Sequence, residues 1–131
     1  MKTFTLGTNT RQCFIDVTQN VSGIVGESGV SEGICVVYAP HTTGGLAINE
    51  NEDPNVSRDI LEFLKDMIPA GFAFRHSEGN SDAHVMATLI GSSVTVPITG
   101  GRLALGTWQG IYFVEFDGPR SRRCNVTVIG K

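Results

Sequence analysis

Ser93-Val-Thr-Val-Pro-Ile-Thr-Gly-Gly-Arg-Leu-Ala-Leu105 is the stretch whose reading decides the fold. Val94, Val96 and Ile98 recur at every second position, the period of a strand with one buried face. Gly100-Gly101 is a two-residue hairpin signal, because the tightest hairpin turns require positive φ. Leu103 and Leu105 return on the other side. Downstream, Ile111 to Phe116 and Cys124 to Ile129 read as a second hairpin around Asp117-Gly-Pro-Arg120. Upstream, Lys2 to Thr8 and Gln12 to Asp16 read as two short strands. Ile34 to Tyr38 is an apolar run without alternation, as expected of a strand buried on both faces. Leu46 to Glu50 is a further short strand.

Helices interrupt these strands. Val17, Val21, Ile24 and Val25 form a stripe at helical spacing that Gly29 closes. Asp53 can cap a second helix and Pro54 suits its first turn. Val56, Ile60, Leu61, Leu64, Met67 and Ile68 supply its core stripe, and Pro69 ends it. Ser81 or Asp82 can cap a short third helix through Ala83 to Ile90, closed by Gly91. The expectation is an α+β domain over residues 1–131, a mostly antiparallel sheet or sandwich with two to three helices packed on one side.

The 131 residues amount to about one domain, with 40% hydrophobic and 18% charged residues, ordinary for a globular protein. A net charge of -3 argues against an electrostatic hold on nucleic acid, which needs a basic face. Arg120, Arg122 and Arg123 form one local basic cluster, which reads as a solvated turn. Cys13, Cys35 and Cys124 each sit in an apolar run with no CxxC pair, as reduced thiols packed like small hydrophobes. The alternating N-terminus lacks the apolar block of a signal peptide, and no run approaches the roughly 18 apolar residues of a membrane span. A cytoplasmic protein is expected, with neither nucleic acid nor membrane as partner.

Chemistry concentrates in two polar segments. His76-Ser-Glu-Gly-Asn-Ser-Asp-Ala-His84 carries two imidazoles, two carboxylates and an amide. The remaining histidine, His41, follows an apolar strand in Pro40-His-Thr-Thr43. His41, His76 and His84 could supply three nitrogens to a divalent metal, zinc or similar, with a position left for water or substrate. The alternative is three independent hydrogen-bonding histidines. Glu78, Asp82 and Glu50 are candidate general bases or partners that orient a metal-bound imidazole, and Asp82 competes for the helix cap. Asn80 is either a turn residue or an orienting donor.

Trp108 and Gln109, in a polar loop between glycines, suit stacking and orientation of a planar heteroaromatic ligand. A tryptophan packed across a strand junction is the alternative. Thr42, Thr43, Ser92 and Ser93 are short hydroxyls beside glycines, where backbone amides can hold a phosphate. Neither phosphate-loop motif nor dinucleotide fingerprint is present. No nucleophile elbow occurs, and cysteines in strands are poor thiolates.

Three ordered strings, His41-Thr-Thr-Gly-Gly-Leu-Ala-Ile-Asn-Glu-Asn-Glu-Asp-Pro54, His76 to His84, and Gly91 to Ile98 running into Gly101 to Gly110, resemble the YjbQ family, often called secondary thiamine-phosphate synthases. The resemblance spans nearly the whole chain. It departs at Gly44-Gly45, where alanine or a larger residue is expected and glycine should loosen the loop carrying His41. It implies a compact α+β fold, a homotrimer with a pocket near the subunit contacts, and a weak thiamine-phosphate synthase activity. That reaction joins a pyrimidine diphosphate to a thiazole phosphate, with a cation neutralising the leaving pyrophosphate. Arg102 or Arg120 from a neighbouring subunit would have to supply positive charge. The competing readings are a non-catalytic trimer that binds a metal or small ligand, and a purely structural trimer.

Overall fold

The structure, a computed structural model, describes residues 1–131. Eight strands and three helices follow in the order β1 (Lys2–Gly7), β2 (Cys13–Asp16), α1 (Thr18–Ser28), β3 (Glu32–Tyr38), β4 (Gly44–Glu50), α2 (Pro54–Met67), α3 (Ser81–Ile90), β5 (Ser93–Thr99), β6 (Arg102–Leu103), β7 (Gln109–Glu115) and β8 (Ser121–Gly130). They form a five-stranded sheet, β1-β8-β3-β5-β6, and a three-stranded sheet, β2-β7-β4. Every pairing is antiparallel. The fold is α+β, and no helix is long and apolar enough to cross a membrane.

Two apolar clusters stack on opposite faces of the small sheet. Cys35, Val37, Val96, Ile98, Cys124 and Val126 from the large sheet meet Leu46, Ile111 and Phe113 from the small one. Val17, Val21 and Val25 bring the entrance and inner stripe of α1 into this same cluster. Tyr112, Val114 and Phe116 point the other way, against Leu64 and Ile68 of the α2 region and Ala83, Met86 and Ala87 of α3. α2 and α3 therefore cover one face of the small sheet, whereas α1 packs into the cluster between the sheets.

The β5–β6 hairpin forms as expected, with Gly100 at φ 60° and Gly101 at φ 75° and Thr99 opposite Arg102. α2 begins as its sequence dictates: the Asp53 carboxylate accepts from the Asn55 amide at 2.9 Å, and Pro54 opens the helix. α1 ends at Gly29, whose φ of 72° is left-handed.

Two expectations are corrected. β3 is not buried on both faces. Cys35 and Val37 point inward, while Ile34 and Tyr38 are exposed on a face that no helix covers. The strand buried on both faces is β7, because it is the centre of the small sheet between the two clusters. Nor do Ile111–Phe116 and Cys124–Ile129 form a hairpin. β7 pairs with β2 and β4, and β8 with β1 and β3, so the turn at Asp117–Arg120 carries the chain from one sheet to the other.

Candidate functional site

That crossover builds the site. Glu115 ends β7 and Arg122 follows the start of β8, and their side chains meet where the sheets part. Glu115 is 0% exposed and Arg122 6% exposed. The guanidinium engages both carboxylate oxygens, with Nε donating to Oε1 at 2.8 Å and Nη2 donating to Oε2. Thr8 Oγ1 and the Asp117 amide also donate to the carboxylate, at 2.8 and 3.0 Å. Burial alone pushes the Glu115 carboxyl up, but these donors outweigh it and hold the group below the usual carboxylate range. Arg122 Nη2 also donates to Thr43 Oγ1 at 2.9 Å, which ties the loop after His41 to the crossover.

A cavity of about 660 Å³ opens beside this pair. Its wall brings together His41, Thr42 and Thr43 from the loop before β4, His76 and Glu78 from the segment before α3, and Asn80 and His84 at the start of α3. Arg120 and Arg122 complete it from the crossover, with Tyr38 and Pro40 at the end of β3. All three histidines of the chain thus line one cavity, as the two polar segments lead one to expect.

The rings are held differently. The His41 Nε2 meets the Arg123 amide at 3.0 Å and the Arg123 carbonyl at 3.1 Å, so the main chain of β8 occupies that nitrogen in either tautomer. Only Nδ1 remains for another partner. Burial, and then the charge of Arg122, push His41 below the ordinary imidazole value, so the ring is neutral near pH 7. His76 and His84 face each other edge to face with centroids 5.4 Å apart. Glu78 Oε2 lies 3.8 Å from His76 Nε2 on an exposed loop.

No group of three or more histidine, cysteine, aspartate or glutamate side chains is arranged to hold a metal ion. The three-histidine ligand set expected from the sequence is therefore not assembled within the chain. The physical reason is the anchoring of His41 to the β8 backbone, apart from the His76–His84 pair.

Other expected residues separate from the cavity. Asp82 is only 2% exposed, and Arg11 grips it through two 3.0 Å bonds on the far side of α3. It neither caps the helix nor lines the histidine cavity; Asn80 is the N-cap residue, without a side-chain capping bond. Held by Arg11 and absent from the cavity wall, this carboxylate is not placed to act as a base on a ligand there. Glu50, Trp108 and Gln109 lie at the other end of the β4–β7 pair. Seven strand residues place them roughly 20 Å from Glu115. Trp108 is 56% exposed, and Gln109 turns back to accept from the Gly106 amide at 2.8 Å. The loop is polar because its turn satisfies itself. Gly44-Gly45 does not loosen the His41 loop either, because both are buried in β4.

Arg122 is the cavity residue that the sequence reading placed wrongly, as part of a solvated turn. The signal was present: in β8, Arg122, Cys124 and Val126 share a period of two and all three are buried.

Asp117 organises the rest of the wall. Its Oδ2 accepts from Asn80 Nδ2 at 2.8 Å and from Arg120 Nη2 at 3.0 Å. Burial would raise its carboxyl, but Asn80 and Arg120 prevail and the net shift is down.

Comparison with known proteins matches residues 2–131 to the family described as UPF0047 protein YjbQ-like. The chain belongs to this family. A UPF0047 protein of Methanocaldococcus jannaschii is 50% identical over 127 residues, covering 97% of this chain and 92% of the relative. YugU of Bacillus subtilis is 44% identical over 131 residues, with 99% of each covered. A crystal structure of a YjbQ/UPF0047 family protein from Clostridium acetobutylicum superposes with a TM-score of 0.97 at 52% identity, covering 98% of this chain and 100% of that one. A YbjQ-like protein of Sulfolobus solfataricus, described as of unknown function, gives 0.95 at 32% identity, covering 99% and 96%. The YjbQ-like fold thus extends over the whole chain, including the crossover and the histidine cavity.

Proposed function

We propose that this YjbQ-like protein binds a small phosphorylated molecule in the histidine cavity and acts on it as an enzyme through neutral imidazole. The supporting observation is the composition of the wall. On a chain of net charge -3, one cavity gathers two arginines, three histidines and two threonine hydroxyls against a single carboxylate, Glu78. Arginine and hydroxyl donors suit phosphate oxygens, and imidazoles suit proton transfer near neutrality. Isothermal titration with inorganic phosphate tests the binding step. Micromolar to millimolar affinity that disappears in Arg120→Ala supports it, and the absence of any heat at millimolar phosphate overturns it.

The finer reading is weak thiamine-phosphate synthase activity. Its test is release of pyrophosphate and thiamine phosphate from the pyrimidine diphosphate and thiazole phosphate, compared between wild type and His84→Ala. Binding without turnover favours the non-catalytic alternative.

A second reading adds a divalent metal, zinc or similar. Two imidazoles on one tetrahedral ion with metal–nitrogen bonds of about 2 Å have ring centres about 5 Å apart, close to the 5.4 Å between His76 and His84. Ligand oxygens or a neighbouring subunit would complete such a site. Metal content after purification without metal-affinity steps decides it; a metal-free, fully binding protein removes it. Assembly as a homotrimer belongs to the same proposal, supported by the uncovered face of the large sheet where Ile34, Tyr38 and Ile129 are exposed. Light scattering that gives a monomer at micromolar concentration excludes it.

A further inference from the structure

We propose that the histidine cavity is one half of a two-part site, and that a second cavity beside it takes an uncharged, hydroxyl-rich group joined to the phosphate. The ligand class is then a phosphomonoester of a sugar or polyol. The inference rests on the phosphate reading of the first cavity and supplies the other half of the ligand.

The second cavity, of about 440 Å³, lies within the roughly 300–1,000 Å³ of small-ligand pockets. It shares His41, Thr42 and His84 with the first and continues between the start of β4 and the C-terminal half of α3. The two walls differ in charge. The first carries Arg120, Arg122 and Glu78, whereas the second has no arginine, lysine, aspartate or glutamate. A charged group seated there would lose hydration without gaining an opposite charge. An alkyl chain fits no better, because Ala87 is the one apolar side chain of this wall.

What the wall offers is hydroxyls within reach. Thr42, Thr88 and Ser92 all stand at exposed positions around the second cavity. Thr88 Oγ1 donates to the His84 carbonyl at 2.8 Å, so its lone pairs are left for a ligand hydroxyl that donates. Ser92 is carried on a pinned turn: its carbonyl accepts from the Ala39 amide at 2.8 Å, and the neighbouring Gly91 carbonyl accepts from the Leu46 amide at 3.0 Å. The shared residues fix where the two halves of the ligand join. With phosphate against Arg120 and the hydroxylated group between β4 and α3, the ester linkage crosses the boundary at His41 and His84.

The test compares inorganic phosphate, pentyl phosphate and ribose 5-phosphate by titration calorimetry on the whole protein. Ribose 5-phosphate is expected to bind about tenfold more tightly than pentyl phosphate, as for two net hydrogen bonds. Thr88→Trp and Ser92→Phe each put bulk into the second cavity from opposite walls, at exposed positions that the fold tolerates. In each the preference for ribose 5-phosphate over pentyl phosphate should shrink to within about twofold. Equal affinity of the two esters in the wild type overturns the proposal without any variant. A preference that survives in both folded variants overturns it too. If none of the three probes binds the wild type, the phosphate reading itself falls, and the proposal with it; phosphate binding without a preference for ribose 5-phosphate overturns the second cavity alone.

Discussion

At its Gln109 end β7 emerges from a turn in which Gln109 binds the Gly106 amide and Trp108 stands in solvent. At its Glu115 end it enters a crossover with a buried ion pair, an arginine-bearing wall and three histidines. Both ends are glycine-flanked and polar in sequence. At the first, the Gln109 side-chain carbonyl is taken up within three residues by the Gly106 amide, and no distant segment adds a group to the turn's own. At the second, groups from distant segments converge, and an amide carbonyl, a histidine pair and guanidinium nitrogens remain without full protein partners. A polar loop marks a binding site only when its donors and acceptors exceed what the local turn consumes.

The largest test of this contrast is Arg122→Met, which leaves Glu115 charged and unpaired in the interior. Destabilisation of about 3–5 kcal/mol is expected in urea unfolding, and the Arg122→Met/Glu115→Leu double variant should recover much of it. The pH dependence should also reverse. In the wild type the Glu115 carboxyl lies below its usual range, so its contribution is present above that range and lost as pH falls through the depressed value. Without Arg122, burial pushes the group up, and stability should fall as pH rises instead. A loss under about 1 kcal/mol would mean that the crossover is not the structural centre of this end.

A smaller effect is expected from His41. Its ring is held below the ordinary imidazole value, so the unfolded chain takes up the proton first. Stability should decline as pH falls through about 6.5 and below. His41→Gln should flatten that part of the curve in thermal unfolding scans; an unchanged curve would show that the Arg123 contact does not govern the ring. The smallest effect is expected from Trp108→Ala. Stability should change by less than about 0.5 kcal/mol, and phosphate affinity should stay within about twofold. A large loss of binding would make the two ends of β7 one site.

Much of this was legible in the sequence, where local chemistry is decisive. Gly100-Gly101 announced the β5–β6 hairpin, and Asp53-Pro54 announced α2, because positive φ and an N-cap oxygen are local demands. His41 and His84 converge because they sit near the ends of rigid elements, and His76 joins them from the loop that leads into α3. The second hairpin failed for the opposite reason: Asp117-Gly-Pro-Arg120 specifies a turn, but not which sheet receives the next strand. Asp82 stood at a capping position, and only the fold could bring Arg11 to it. Trp108 lies apart from the histidine cavity, a separation that follows from strand register and that the polarity of its loop does not reveal.

The close approach of β4 to the end of α3 has a consequence for the aperture of the cavity. A Cβ on Gly45 would fall well inside contact distance of the Gly91 carbonyl oxygen, and one on Gly44 would press on the Phe113 ring at 2.6 Å. That same Gly91 carbonyl accepts from the Leu46 amide at 3.0 Å. The strand that follows His41 and the helix that carries His84 are therefore spaced by main chain against main chain. Their separation is set by atoms that no side-chain rotation can alter. The mouth of the cavity behaves in this respect like a machined gap rather than a sprung one, its width fixed by the methyl group that Gly45 lacks.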